Sequence, residues 1–144
     1  MAIFVSLLCF GCGKNPESNA KSVTIHYIDW NILTEVSLSC EDVALFERVG
    51  EAVLSGEDEV KRFVSLVSGE RLEPKPGFDG VDARICCILM GKDGATLSTV
   101  ALSPTGLMEV DGTVYKTDTE LFEFILSYLP DGYIDSDTTA KEHD

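Results

Sequence analysis

Residues Val81–Lys116, VDARICCILMGKDGATLSTVALSPTGLMEVDGTVYK, decide the fold. Runs of β-branched and apolar residues alternate here with short turn sequences, which is the pattern of strands joined by hairpins. The first run is almost wholly apolar, so we place it at the centre of a sheet. The predicted strands are Val81–Met90, Ala95–Leu102, Leu107–Val110 and Thr113–Lys116, separated by the turn sequences KDG, SPTG and DG.

One amphipathic helix is predicted before this stretch. Ser55 is its predicted N-cap, and the acids at positions 57–59 suit the positive end of the helix dipole. Gly69 ends the helix. The segment from Gly69 to Gly80 then holds three Gly and two Pro, and we interpret it as a long loop. The apolar stripe of the helix recurs at i, i+3, i+4 and i+7, at Val60, Phe63, Val64 and Val67.

A second amphipathic helix is predicted after it. The sequence Thr117-x-x-Glu120 is a capping box, and Pro130 with Gly132 ends the helix. Apolar residues follow the capping box at helical spacing, at Leu121, Phe122, Ile125, Tyr128 and Leu129.

Shorter signals precede the first helix. Residues 23–30 (VTIHYIDW) are rich in β-branched and aromatic residues and predict a strand. Thr34–Leu38 alternates polar and apolar residues, as a half-buried strand does. Ser39, with Asp42 three residues later, predicts the cap of a short helix, and Arg48–Leu54 predicts another short strand. The fold class is therefore α+β, an antiparallel β-meander sheet with two amphipathic helices packed on one face.

Composition excludes several classes of function. The 144 residues include 25 Asp and Glu against 11 Lys and Arg, for a formal net charge of −14. A nucleic-acid-binding protein needs a basic surface, and attachment to anionic lipid needs basic residues, so neither role fits. With only two histidines, His26 and His143, and none of the common catalytic motifs, we expect no enzymatic activity, no cofactor and no metal site.

The first residues indicate a location. Residues 1–11 (MAIFVSLLCFG) are uncharged and too short to span a bilayer, and a polar stretch, CGKNPESNAK, follows at 12–21. An apolar run, a small residue at Gly11, Cys12 and a polar tether together resemble the leader of a bacterial lipoprotein. In that family the cysteine becomes the lipidated first residue of the mature chain. The resemblance implies that the mature chain is 12–144 and that lipid on Cys12 is its only membrane attachment.

The same resemblance implies a compartment and a domain plan. Gly13 occupies the second mature position, where that family uses Asp to retain proteins in the inner membrane. An outer-membrane anchor facing the periplasm is therefore expected. The plan is a signal peptide at 1–11, a lipidated N-terminus and flexible tether at 12–22, one α+β domain at 23–130, and an acidic tail at 131–144.

Three cysteines remain in a chain that loses Cys9 and acylates Cys12. Because the periplasm is oxidising, one disulfide is expected as an alternative to buried free thiols, from Cys40 to either Cys86 or Cys87. Successive strand residues point to opposite faces, so only one of the adjacent pair faces Cys40.

The expected activity is the binding of a basic protein partner. A small, acidic, exported domain resembles in type the immunity lipoproteins that inhibit basic secreted toxins or hydrolases, and negative charge speeds association with a positive surface. The predicted contact residues are the loop acids Glu70, Glu73 and Asp79, with Asp29 and Trp30 as a further binding edge. The alternative is a structural or accessory envelope lipoprotein that binds another envelope protein through a sheet edge at residues 23–30.

Overall fold

The computed structural model describes residues 19–134. The predicted signal peptide, Cys12 and most of the predicted acidic tail lie outside these residues. Six strands form one antiparallel sheet in the order β2-β1-β3-β4-β5-β6. The strands are β1 (Ala20–Tyr27), β2 (Gly50–Leu54), β3 (Ile85–Gly91), β4 (Thr96–Leu102), β5 (Leu107–Val110) and β6 (Thr113–Lys116).

Within the described residues, three α-helices and one short 3₁₀ helix connect and cover the strands. The first two α-helices lie between β1 and β3, and the last follows β6. None of the helices within residues 19–134 is long and apolar enough to cross a membrane. The helices are α1 (Cys40–Ala44), α2 (Glu57–Leu66) and α3 (Thr119–Leu126), and the 3₁₀ turn is Gly69–Arg71.

The larger core lies between one face of the sheet and the helices α2 and α3. Phe63 of α2 and Leu121 of α3 are fully buried there, together with Ile25 of β1 and Cys87 of β3. Because β-strands alternate their side chains, every second strand residue joins this face. The predicted architecture, two amphipathic helices on one face of a meander sheet, is confirmed.

The opposite face, which we call the second face, carries a smaller core. Val43 of α1 packs there with Leu38, Ala83 and Cys86. Strand β3 is therefore buried on both faces, which explains its unbroken run of apolar residues. A disulfide between Cys40 and Cys86 ties α1 to this strand.

The predicted hairpin at Asp111-Gly112 is confirmed, and its geometry explains the sequence. Asp111 has φ of 49° and Gly112 has φ of 88°, values that a two-residue hairpin turn requires and that Asp and Gly tolerate best. The Asp111 carboxylate also accepts hydrogen bonds from the Ser98 hydroxyl and from the N–H of Thr99. The turn is thereby fixed to the neighbouring strand β4.

Several local predictions are wrong. Thr34–Leu38 forms no strand, because its backbone is bonded to side chains and loops rather than to a neighbouring strand. The N-cap of α2 is Gly56 rather than Ser55. The N-cap of α3 is Asp118, whose carboxylate accepts the N–H of Leu121 at 3.0 Å, rather than Thr117.

The ends of the described fold also differ from the predicted boundaries. Strand β1 starts at Ala20, inside the predicted tether. At the other end, Tyr133 lies within the predicted tail, yet its ring packs against Tyr27 and Trp30, and its hydroxyl donates to the carbonyl of Ile28. Burial raises the pKa of the Tyr133 hydroxyl, and the nearby Asp29 carboxylate raises it further.

Candidate functional site

A cleft of about 530 Å³ opens on the second face of the sheet. One wall is the segment Ser37–Cys40, and the other is formed by Asp79–Val81 together with Ala83. Strands β4 and β5 contribute Thr99, Ala101 and Glu109 between these walls. We call this site the second-face cleft.

Backbone hydrogen bonds hold the two walls together. The N–H of Leu38 donates to Asp82 Oδ1 at 2.8 Å, and the N–H of Ala83 donates to the carbonyl of Leu38 at 2.9 Å. The Cys40–Cys86 disulfide, with a Cα–Cα distance of 5.5 Å, attaches the end of the first wall to β3. The cleft therefore has fixed walls, although both belong to connecting segments.

An ion pair between buried Arg84 and partly exposed Asp82 supports the same walls. The Arg84 side chain is 4% exposed, and its guanidinium donates to both carboxylate oxygens of Asp82 at 2.8 and 3.0 Å. It also donates to the carbonyls of Ile32 and Ala83. Burial raises the pKa of Asp82, but the hydrogen bonds from Arg84 and Leu38 and the charge of Arg84 outweigh it, so this pKa lies below its ordinary value. Asp82 thus remains ionised and keeps the walls joined.

The electrostatics of the second-face cleft are acidic. Asp79 and Glu109 belong to its lining, and no Lys or Arg of residues 19–134 does. Within residues 19–134 neither carboxylate has an ion-pair or hydrogen-bond partner among the contacts of the structure. A bound cation would therefore not have to displace an existing partner.

Exposed apolar residues adjoin both walls of the same cleft along the chain. Val36 precedes the first wall and is 69% exposed, and Phe78 precedes the second wall and is 53% exposed. Large exposed apolar residues next to a concave surface are typical of protein-binding sites. The arrangement can recognise a segment that presents positive charge together with apolar side chains.

The described cysteines differ in chemical state. Cys40 and Cys86 are bonded to each other, which selects Cys86 over Cys87 from the predicted pair. Cys87 points to the opposite face, where burial raises the pKa of its thiol far above the ordinary value. A thiol in this state is a poor nucleophile, because the thiolate is the reactive form.

The structure separates the predicted contact residues. Of the three loop acids only Asp79 lines the second-face cleft. Glu73 lies in a polar pocket of about 280 Å³ beside β6 and pairs with Lys75 at 3.2 Å. Glu70 lies in the exposed 3₁₀ turn.

Asp29 and Trp30 lie elsewhere. The Asp29 carboxylate accepts the N–H of Asn31 at 2.9 Å, which fixes a local turn. The Trp30 ring packs against Phe122 of α3, with ring centroids 5.3 Å apart. Trp30 also lines a further pocket of about 340 Å³, the Trp30 pocket. The other residues of the Trp30 pocket are Ser103, Pro104, Gly106, Thr117, Thr119, Phe122, Glu123, Leu126 and Ile134.

Glu109 is not among the contact residues that were predicted from the sequence. It lies opposite Ala101 in the β4–β5 pairing, so both residues point to the second face. The alternation of Met108, Glu109 and Val110 was the available signal, because a single charged residue between two buried ones marks the face away from the larger core. The nearness of Glu109 to the 79–80 segment had no signal in the sequence, since a chain crossing over the sheet brings them together.

Within residues 19–134 no group of three or more His, Cys, Asp or Glu is arranged to hold a metal ion. Comparison of the chain with protein families, curated proteins and solved structures gave no match.

Proposed function

We propose that this protein is a non-enzymatic binding protein, anchored in the bacterial envelope by lipid on Cys12, and that its second-face cleft binds a basic protein partner. The observation that carries the proposal is a cleft lined by Asp79 and Glu109, two acids without an ion pair within residues 19–134, whose wall segments adjoin the exposed residues Val36 and Phe78. The net charge of −14 adds attraction at long range, which speeds association with a positive surface.

Two observations support an exported location. Residues 1–12 resemble a lipoprotein leader. Independently, the Cys40–Cys86 disulfide is a bond that persists in oxidising compartments and is rare in reducing ones. The proposed location is the periplasmic face of the outer membrane.

The most specific form of the proposal is an immunity-type inhibitor of a basic secreted toxin or hydrolase. Such an inhibitor has to block a cleft or cover a catalytic face, and the exposed segment that carries Phe78 and Asp79 projects at the rim of the second-face cleft. A carboxylate beside an aromatic ring is suited to a basic, partly apolar target surface.

A second candidate function is that of an accessory envelope lipoprotein that binds through a sheet edge. The edge predicted at residues 23–30 is wrong, because β1 lies between β2 and β3. The outer edge of β2 is the one without a paired strand in the described sheet, whereas the outer edge of β6 is covered by the bridge between Pro74 and Tyr115. Val53 of β2 is 54% exposed, which favours this edge as the alternative docking surface.

Site-specific photo-crosslinking in the producing cells distinguishes the two candidates. A benzophenone amino acid replaces Phe78 in one variant and Val53 in another, two positions of almost equal exposure. The cleft proposal predicts a crosslinked basic envelope or secreted protein at Phe78 and a much lower yield at Val53. Ser65, an exposed residue of α2 on the other side of the sheet, is the background control.

The contribution of the Asp79 and Glu109 charges to binding is tested in the same experiment. The double variant Asp79→Asn/Glu109→Gln removes both charges without breaking an ion pair of the described structure, so its fold should be preserved. We expect the yield at Phe78 to fall about tenfold, the equivalent of about 1.4 kcal/mol, and to fall with added salt. A strong adduct at Val53 that resists salt would instead support the sheet-edge function. Equal crosslinking yields from position 78 with and without the Asp79→Asn/Glu109→Gln changes would show that the cleft acids do not contribute to binding.

A further inference from the structure

The Trp30 pocket has a composition suited to a different ligand group. Its walls are mainly apolar and aromatic, with Trp30, Phe122, Pro104 and Leu126 among them. It belongs to the side of the sheet covered by α3, whereas the second-face cleft lies on the opposite side. It is therefore a separate site with its own chemistry.

Two polar groups in this pocket have no partner. The Thr117 hydroxyl oxygen is buried and makes no hydrogen bond within residues 19–134. Glu123 is an exposed residue of α3 that lines the pocket, and its carboxylate takes part in none of the ion pairs of the described structure. Thr117 also lines the polar pocket beside β6, and its hydroxyl oxygen is covered in this structure. A buried hydroxyl without a partner is costly, so a ligand that uncovers this oxygen and supplies a hydrogen bond would bind favourably.

The charge of the pocket lining indicates which charge the ligand should carry. Among the residues of 19–134 that line the pocket, Glu123 is the one that is ionisable, so this part of the chain gives the site a negative charge and no compensating cation. A cation that carries several N–H donors would pair with Glu123, contact the aromatic walls and supply a donor to the Thr117 hydroxyl once that side chain turns toward the ligand. Guanidinium meets these requirements better than ammonium, because it is planar, stacks on aromatic rings and presents two donors to one carboxylate.

We infer that the Trp30 pocket receives an arginine side chain of a protein partner. A volume of about 340 Å³ accommodates one long side chain and its flanking atoms. The inference shares with the proposed function only the basic character of the partner, and it places an arginine contact on the side of the molecule opposite the second-face cleft.

The single tryptophan of the chain makes the test direct, because all tryptophan emission comes from Trp30. The full chain is titrated with acetyl-arginine amide, acetyl-lysine amide and acetyl-citrulline amide at constant ionic strength. Citrulline has almost the shape of arginine without the charge. We expect a saturable change in emission with the arginine compound, binding several-fold weaker with lysine, and no saturation with citrulline.

Two variants test the named residues. Glu123→Gln should weaken arginine binding about tenfold, because a charge-assisted hydrogen bond is lost. Thr117→Val should weaken it about threefold while leaving the fold intact. Glu47→Gln, which changes an exposed acid on the α1 side of the molecule, should leave binding unchanged.

Three results would overturn the inference. These are an absence of saturable change with the arginine compound, equal binding of arginine and citrulline, and unaltered binding in Glu123→Gln. The proposed function is tested independently, since crosslinking at Phe78 reports on the second-face cleft and the emission of Trp30 reports on this pocket.

Discussion

Removal of the Cys40–Cys86 disulfide should lower the free energy of unfolding by about 4 kcal/mol. The two cysteines are 46 residues apart, and the loop-closure entropy of a cross-link over that length corresponds to about 4 kcal/mol at room temperature. The double substitution Cys40→Ala/Cys86→Ala is the appropriate perturbation, because a single substitution leaves an unpaired thiol on the second face. A loss of this size is a large share of the about 5–15 kcal/mol that stabilises a typical domain.

Urea unfolding followed by Trp30 emission measures this loss. With a slope of about 1.5 kcal/mol per molar urea, the midpoint should fall by about 2–3 M. The reduced wild type should unfold near the double variant, and a reducing agent should leave the double variant unchanged. The variant Cys87→Ala, which keeps the disulfide, should retain the sensitivity to reductant. Equal midpoints for the oxidised and reduced wild type would refute the reasoning, since the disulfide would then not constrain the unfolded chain.

Three further predictions concern single residues. Asp82→Asn should lower the free energy of unfolding by about 2–3 kcal/mol in urea unfolding, because it leaves the charge of buried Arg84 without a carboxylate. The pKa of Asp82 is lower in the folded state than in the unfolded chain. Its contribution to stability is therefore fully present above the unfolded value of about 3.9 and is lost as the pH falls through the folded value. If the stability of Asp82→Asn fell with acid as steeply as that of the wild type, this assignment would be wrong. Asp118→Ala should lower the free energy of unfolding by about 1–2 kcal/mol, because α3 loses its N-cap, whereas Thr117→Val should leave it almost unchanged. A larger loss in Thr117→Val than in Asp118→Ala would instead support Thr117 as the cap. Cys87 should react with a maleimide only after unfolding, and rapid labelling of the native protein would show that its thiol is not buried as described.

The sheet was predictable where a local rule was sufficient. The Asp111-Gly112 turn requires positive φ at both residues, so its sequence alone located the hairpin between β5 and β6. The apolar run predicted at Val81–Met90 placed this strand in the interior of the sheet, because a strand that is buried on both faces carries no alternating pattern, although β3 itself begins at Ile85.

Local rules failed where tertiary partners replaced local ones. The alternation in Thr34–Leu38 resembles a strand, but the Leu38 N–H bonds to Asp82, a residue 44 positions away. The predicted cap of α3 was Thr117, whereas the structure uses the carboxylate of the adjacent Asp118, which also pairs with Arg71 at 2.9 Å. Non-local pairings of this kind carry no short-range sequence signal.

The candidate site was predictable only in part. Asp79 was recognised because it lies in a long, exposed loop that is rich in Gly and Pro. The other acid of the cleft, Glu109, is 30 positions further along the chain, and the two residues line the same cleft because of the path of the loop over β5. The choice of Cys86 over Cys87 depends in the same way on which face of β3 is covered by α1.

The central claim is that an acidic domain with a disulfide is held in the envelope by lipid on Cys12. The most direct test is the intact mass of the protein extracted from membranes of the producing cells with detergent, before and after reduction. We expect a chain that begins at Cys12, carries acyl chains on that residue, and gains the mass of two hydrogens on reduction of Cys40–Cys86. A soluble protein that retains Met1, or an unacylated chain with all its thiols reduced, would contradict it.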